Sequence, residues 1–224
     1  MYFYFISDDI EDTKIESIAV DYLNEADLLE YRNIISFIRK KEYSLGRFLI
    51  KELVKDNCDE KNELLLTKGI FNQPVINNIN VDVSLAHSGN FFVAMGFPRT
   101  ILAGIDIEAV DRKISNTIKK ILTRNELYLL DNSLNNNDLE LLIFWTAKEA
   151  LSKAIKVGFT TEISIFEINL ITYDTLLDKY VVHFTSFPHF VAYTTVFNSF
   201  VYTVAIPKMI KIKKETLKIK RDVI

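Results

Sequence analysis

Apolar positions along this 224-residue chain recur with two periods. The opening residues 1–6 alternate aromatic and aliphatic side chains as a buried strand does. Across residues 26–55 apolar side chains recur at three and four (Leu28, Ile34, Ile35, Ile38, Tyr43, Leu45, Phe48, Leu49, Leu53), which predicts helix, interrupted near Gly46 or at the basic run Arg39-Lys40-Lys41. Residues 81–85 and 91–97 predict paired strands around the turn His87-Ser88-Gly89-Asn90, and 101–107 predicts another strand. Helical patterns cover about 114–130 and 139–156, with the Asn-rich stretch 131–138 between them as a loop. Beyond Gly158, the segments 164–171, 180–187, 190–197 and 200–206 are rich in Val, Phe, Tyr and Thr and predict strands.

Each half of the pattern thus places a helix ahead of strands. Gly46-Arg47-Phe48-Leu49-Ile50-Lys51 holds the place in the first half that Lys148-Glu149-Ala150-Leu151-Ser152-Lys153 holds in the second, a weak internal repeat. With six glycines and four prolines, linkers are short. The fold class expected is α+β, a pseudo-two-fold dimer of two similar subdomains, each a small, mainly antiparallel sheet packed with a long helix. Residues 1–100 form the first subdomain, 101–207 the second, and 208–224 a basic tail.

Composition adds bounds. A hydrophobic content of 49% supports a substantial core. A net charge of −3 supplies no global field for nucleic acid, so no nucleic-acid partner is expected. Charge is uneven: residues 1–31 carry nine acids against Lys14, whereas 32–57 carry seven basic residues against Glu42, Glu52 and Asp56. The single cysteine, Cys58, excludes an intrachain disulfide, and the cytoplasm is the expected compartment. No apolar run approaches the ~18 residues of a membrane span, so no membrane partner is expected. Three histidines and one cysteine are too scattered for a zinc signature, which favours a hard cation on carboxylates.

Three motifs carry candidate chemistry. In Gly104-Ile105-Asp106-Ile107-Glu108 the two acids are one residue apart, so a strand presents both on one face and turns Ile105 and Ile107 to the core. Neighbouring carboxylates repel unless a cation joins them. A solvent-facing edge strand would account for the same acids without any site. In Trp145-Thr146-Ala147-Lys148-Glu149-Ala150-Leu151-Ser152-Lys153-Ala154, helical spacing stacks Trp145, Glu149 and Lys153 at successive i, i+4 positions, with Lys148 beside Glu149. His87 sits in a turn with Ser88 and Gly89, where a sheet edge commonly holds an anion.

In this order and spacing, over about residues 40–168, the motifs resemble the Sfp-type 4'-phosphopantetheinyl transferases. Residues 39–53 also resemble the family's N-terminal basic helix. The resemblance implies an enzyme, a monomer, that moves the 4'-phosphopantetheine arm of coenzyme A onto a serine of an apo acyl or peptidyl carrier protein and releases 3',5'-ADP. It implies Asp106, Glu108 and Glu149 as magnesium ligands, Glu149 also as the base toward the carrier serine, and Lys153 as a charge stabiliser on the pyrophosphate. Glu126 resembles an acidic residue with a supporting or base role. His87 with Ser88, Lys148 and the basic group Arg39, Lys40, Lys41 and Arg47 would bind coenzyme A. The chain departs from the family pattern in three places. Asn72-Gln73-Pro74 stands for Gly-Lys-Pro, Ala86 stands where a hydroxyl is usual, and Lys156 stands for a glycine. Two rival readings share these motifs: a magnesium-dependent nucleotide or pyrophosphate hydrolase, and a non-catalytic coenzyme A or carrier-binding protein.

Overall fold

A computed structural model describes residues 2–7, 12–57, 64–89, 91–110, 117–132, 138–197 and 199–212. Cys58, Asn90, residues 114–116 of an expected helix, most of the Asn-rich loop and residues 213–224 of the tail lie outside these segments.

The N-terminal elements are β1 (Tyr2–Ser7), α1 (Asp12–Tyr22), α2 (Glu25–Asn33), α3 (Phe37–Asn57), β2 (Leu66–Lys68), β3 (Pro74–Ile76), β4 (Val81–Ser88) and β5 (Phe91–Pro98). The C-terminal elements are β6 (Gly104–Ala109), α4 (Arg124–Asp131), α5 (Asp138–Ala154), β7 (Ile168–Asp174), β8 (Lys179–Phe184), β9 (Phe190–Phe197) and β10 (Phe200–Pro207). The fold is α+β, with antiparallel sheets in the orders β1-β5-β4, β6-β10-β9-β8-β7 and β2-β3.

The predicted helix over 26–55 is two helices. The break falls before the basic run, where Ser36 starts α3: its carbonyl accepts from Lys40 N at 2.9 Å and its hydroxyl from Arg39 N at 3.4 Å. Ile35, which had fitted the helical period, is fully exposed at this break. Gly46 lies inside α3 instead of ending it, and it lets the helix sit close to β4, since a Cβ there would stand 3.2 Å from Leu85 Cδ1. The sequence pattern had not marked α1, whose three acids interrupt its short apolar face. Its Ile15, Ile18 and Ala19 are nevertheless buried, at the three- and four-residue spacing of one helix face. The strand expected from Ser164 starts at Ile168, after a 3₁₀ turn over Ile163–Phe166 that buries Phe166.

Among the described residues four clusters form the core, the smallest being Ala19, Leu23 and Tyr31. Leu45, Phe48, Leu49 and Leu53 of α3 pack on Val83, Phe92 and Ala94. Leu142, Phe144 and Leu151 of α5 pack with Phe166, Phe184 and Val201. Between them Val93, Met95 and Phe97 of β5 meet Ile105, Ile107, Val204 and Ile206, so the two larger sheets share one apolar layer. Burying a side chain of this size contributes about 1.5–3 kcal/mol, and this layer fixes β6 beside β4. Among the described residues no helix is long and apolar enough to cross a membrane.

Candidate active site

Strand β6 alternates as its sequence requires. Ile105 and Ile107 enter the layer between the sheets, while Gly104 and Asp106 face α5. Gly104 is needed for close approach: a Cβ there would lie 2.2 Å from Ala150 O and 2.5 Å from Ala154 N. The helix therefore lies directly on the strand, antiparallel to it. Lys153 Nζ reaches Asp106 Oδ1 at 2.7 Å, and Trp145 Nε1 donates to Glu108 Oε1 at 3.1 Å. Residues two apart on the strand are thereby matched to residues eight apart on the helix, with Glu149 midway between them in sequence.

Both oxygens of Glu108 have donors, since Ser88 Oγ donates to Oε2 at 2.8 Å and itself accepts from Ala109 N at 3.0 Å. Ser84 Oγ accepts from Ile105 N at 3.1 Å. Two hydroxyls of β4 thus pin the backbone of β6 at both ends of the acidic pair. Asp106 is only 5% exposed, and its Oδ2 has no hydrogen-bond partner. Burial pushes the Asp106 carboxyl up to about 6, against the lowering effect of Lys153. Burial also pushes Glu149 up to about 7, with the neighbouring Asp106 charge adding to the rise and Lys153 opposing it.

An unpartnered buried carboxylate oxygen beside two further carboxylates is a donor set suited to a hard cation. Among the described residues no three His, Cys, Asp or Glu side chains converge closely enough to enclose a metal alone. That is compatible with magnesium, which takes one or two carboxylates and completes its octahedron with waters and substrate phosphates.

Glu149 and Lys153 open onto a cleft of about 360 Å³. Its walls come from both halves of the chain: Asn72, Gln73, Asp82 and Leu85 on one side, Ser152, Lys153 and Lys156 on the other. Gln73 is folded onto its own turn, where Oε1 accepts from Phe71 N at 2.9 Å.

Three of the residues expected at the site are buried. Glu126 and Lys148 have no exposed side-chain surface and bond to each other at 2.7 Å. Glu126 also accepts from Thr123 N and Ile168 N, each at 2.9 Å, so its acceptor capacity is taken up inside the protein. Lys148 therefore does not stand at the surface where coenzyme A could meet it. Ser88 is likewise buried, and its hydroxyl is engaged by Glu108 and Ala109. The signal for Glu126 was in the sequence: Thr123-Arg124-Asn125-Glu126 is a helix capping box, and the structure contains it.

The basic group is spread along α3 and largely paired. Arg39 bonds Glu42 at 2.7 Å, Lys40 stands 4.9 Å over the Tyr31 ring, and Arg47 is held by Asp27 at 2.7 Å. Acids of α2 thus neutralise Arg47 of α3, which also stands 3.7 Å from Glu30, and Glu30 pairs Lys68 of β2 as well. His87 is partly exposed, stacks on Phe92 at 5.3 Å and lies 3.7 Å from Glu42. Sequence reasoning missed the donors that orient Glu108. A tryptophan within an apolar run reads as a core anchor, and its N–H direction becomes visible only once β6 is laid beneath the helix.

Residues 103–204 match the family model of the 4'-phosphopantetheinyl transferase superfamily, a span that contains Asp106, Glu108, Glu149 and Lys153. No curated protein matches the chain in sequence. Among solved structures, the chain is similar to the crystal structure of Helicobacter pylori holo-[acyl-carrier-protein] synthase in complex with coenzyme A. The identity is 19%, covering 47% of this chain and 99% of that one, with a TM-score of 0.34.

Proposed function

We propose that this protein transfers the 4'-phosphopantetheine arm of coenzyme A to a serine of an apo acyl or peptidyl carrier protein. In this reading it is a monomeric Sfp-type enzyme whose two halves, each a long helix on an antiparallel sheet, form a pseudo-dimer. The observation that carries the reading is the buried, partnerless Oδ2 of Asp106, whose other oxygen is bonded by Lys153, a residue that lines the cleft together with Glu149. The superfamily match over residues 103–204 supports it.

Magnesium held by Asp106, Glu108 and Glu149 would neutralise charge on the pyrophosphate oxygens of coenzyme A. The remaining work falls to the chain. Lys153, spanning from Asp106 to the cleft, stabilises negative charge on the phosphate. Glu149, whose carboxyl burial pushes up to about 7, accepts the proton of the carrier serine. The serine oxygen bonds to the phosphorus of the pantetheine phosphate, the bridging P–O bond breaks, and 3',5'-ADP leaves with the electron pair. Phosphoryl transfer of this kind depends on positioning and charge neutralisation, which is what the pinned β6 and the helix laid on it supply.

The test is incubation with coenzyme A, magnesium and a panel of apo carrier proteins, read by intact mass. One phosphopantetheine added to a carrier, with stoichiometric 3',5'-ADP, is the expected result. Release of 3',5'-ADP without a carrier would favour hydrolysis, and binding without turnover would favour a non-catalytic role.

A further inference from the structure

Helix α5 ends in a left-handed cap that normally calls for glycine. Val157 N donates to Ser152 O and Lys156 N to Lys153 O, each at 3.1 Å, and the residue that turns the chain is Lys156, at φ 58°. A lysine there is disfavoured by its backbone conformation. Its side chain spans the cleft to Asp82 Oδ2 on β4. Asp82 is 9% exposed and holds a second cation, with Arg99 Nε at 3.2 Å, whereas Lys156 is 41% exposed. Departure of Lys156 would therefore leave a buried carboxylate that still has a partner.

Resting on the proposed function, we propose that Lys156 is an anion-binding residue of the cleft. It exchanges Asp82 for a phosphate oxygen of the coenzyme A substrate and supplies the cation that Asn72-Gln73-Pro74 lacks. The wall opposite is without a lysine at Gln73, whose amide is already used to hold its own turn. Of the two lysines that line the cleft, Lys153 also bonds Asp106 and is the less exposed. Lys156 follows Lys153 by three residues, just past the end of α5, and lines the same cleft, so an extended pyrophosphate engaged at Lys153 would meet it there.

Isothermal titration with coenzyme A and, separately, with inorganic pyrophosphate, both with magnesium, tests this on four proteins. Lys156→Gly restores the residue the backbone favours, so it folds, and it should weaken both probes about fivefold or more, less so as salt rises. Lys156→Arg should keep most of the affinity. Asp82→Asn releases the amine and should tighten both probes or leave them unchanged. Affinity indifferent to Lys156→Gly, or an Asp82→Asn loss equal to that of Lys156→Gly, overturns the proposal and makes the pair a structural strap. If the wild type binds pyrophosphate but not coenzyme A, the proposed function falls and the pyrophosphate series alone decides Lys156. Binding of neither probe overturns both.

Discussion

Lys153 Nζ lies 2.7 Å from Asp106 Oδ1, while the other oxygen of the same buried carboxylate has no partner. One oxygen is thus held and the other is left buried without a hydrogen bond. The arrangement comes from helix α5 lying on β6 at the distance Gly104 permits.

Glu149 is the group expected to act on the chemical step. Glu149→Gln keeps the shape and removes the base, so kcat for carrier modification should fall roughly 10²-fold or more. Circular dichroism and thermal melting should be close to wild type. A kcat within twofold of wild type would remove Glu149 from the proton transfer.

The raised carboxyls predict a pH-dependent stability in metal-free protein. A carboxyl with a higher pKa folded than unfolded binds its proton more tightly in the folded state. That contribution is fully present below the ordinary values of 3.8 for Asp106 and 4.5 for Glu149, and is lost as pH rises through about 6 and about 7. Tm in chelator should therefore fall between pH 5 and 8. Magnesium at pH 8 should restore part of the loss, and Asp106→Asn should flatten the profile and abolish the magnesium effect. A chelator-independent Tm across this range would mean the acids do not share a cation.

Ser88 and Trp145 hold the two oxygens of Glu108. Removing such an orienting partner typically costs about 10- to 100-fold in metal affinity or activity. Ser88→Ala and Trp145→Phe should each raise the magnesium concentration needed for half-maximal activity. The KM for coenzyme A at saturating magnesium should change much less, which distinguishes orientation of Glu108 from direct contact with coenzyme A.

Lys148 and Glu126 should govern stability. Lys148→Met leaves a buried carboxylate without its cation and should cost about 3–5 kcal/mol in denaturant unfolding. The double variant Lys148→Met, Glu126→Leu should not recover wild-type stability, because Thr123 N and Ile168 N then lose their acceptor. Full recovery would show that the ion pair alone mattered.

Local chemistry explains what the sequence by itself determined. The period-two placement of Asp106 and Glu108 and the period-four placement of Trp145, Glu149 and Lys153 are properties of one strand and one helix, readable from spacing alone. The strands over 91–97, 190–197 and 200–206 were legible for the same reason, since their β-branched and aromatic residues favour a pleated, half-buried surface. The capping box at Thr123 was equally local.

Tertiary structure decided which groups meet. Ser84 and Ser88 precede β6 by about 20 residues, and their bonds to it exist only because Val93, Met95 and Phe97 share an apolar layer with Ile105 and Ile107. The same layer brings Asp82 opposite Lys156, 74 residues away in sequence. Lys148 and Glu149 are adjacent in sequence, yet one is sealed in the core on Glu126 and the other lines the cleft. Spacing along a helix fixes the angle between two side chains, whereas burial and pKa depend on what the rest of the chain packs against each.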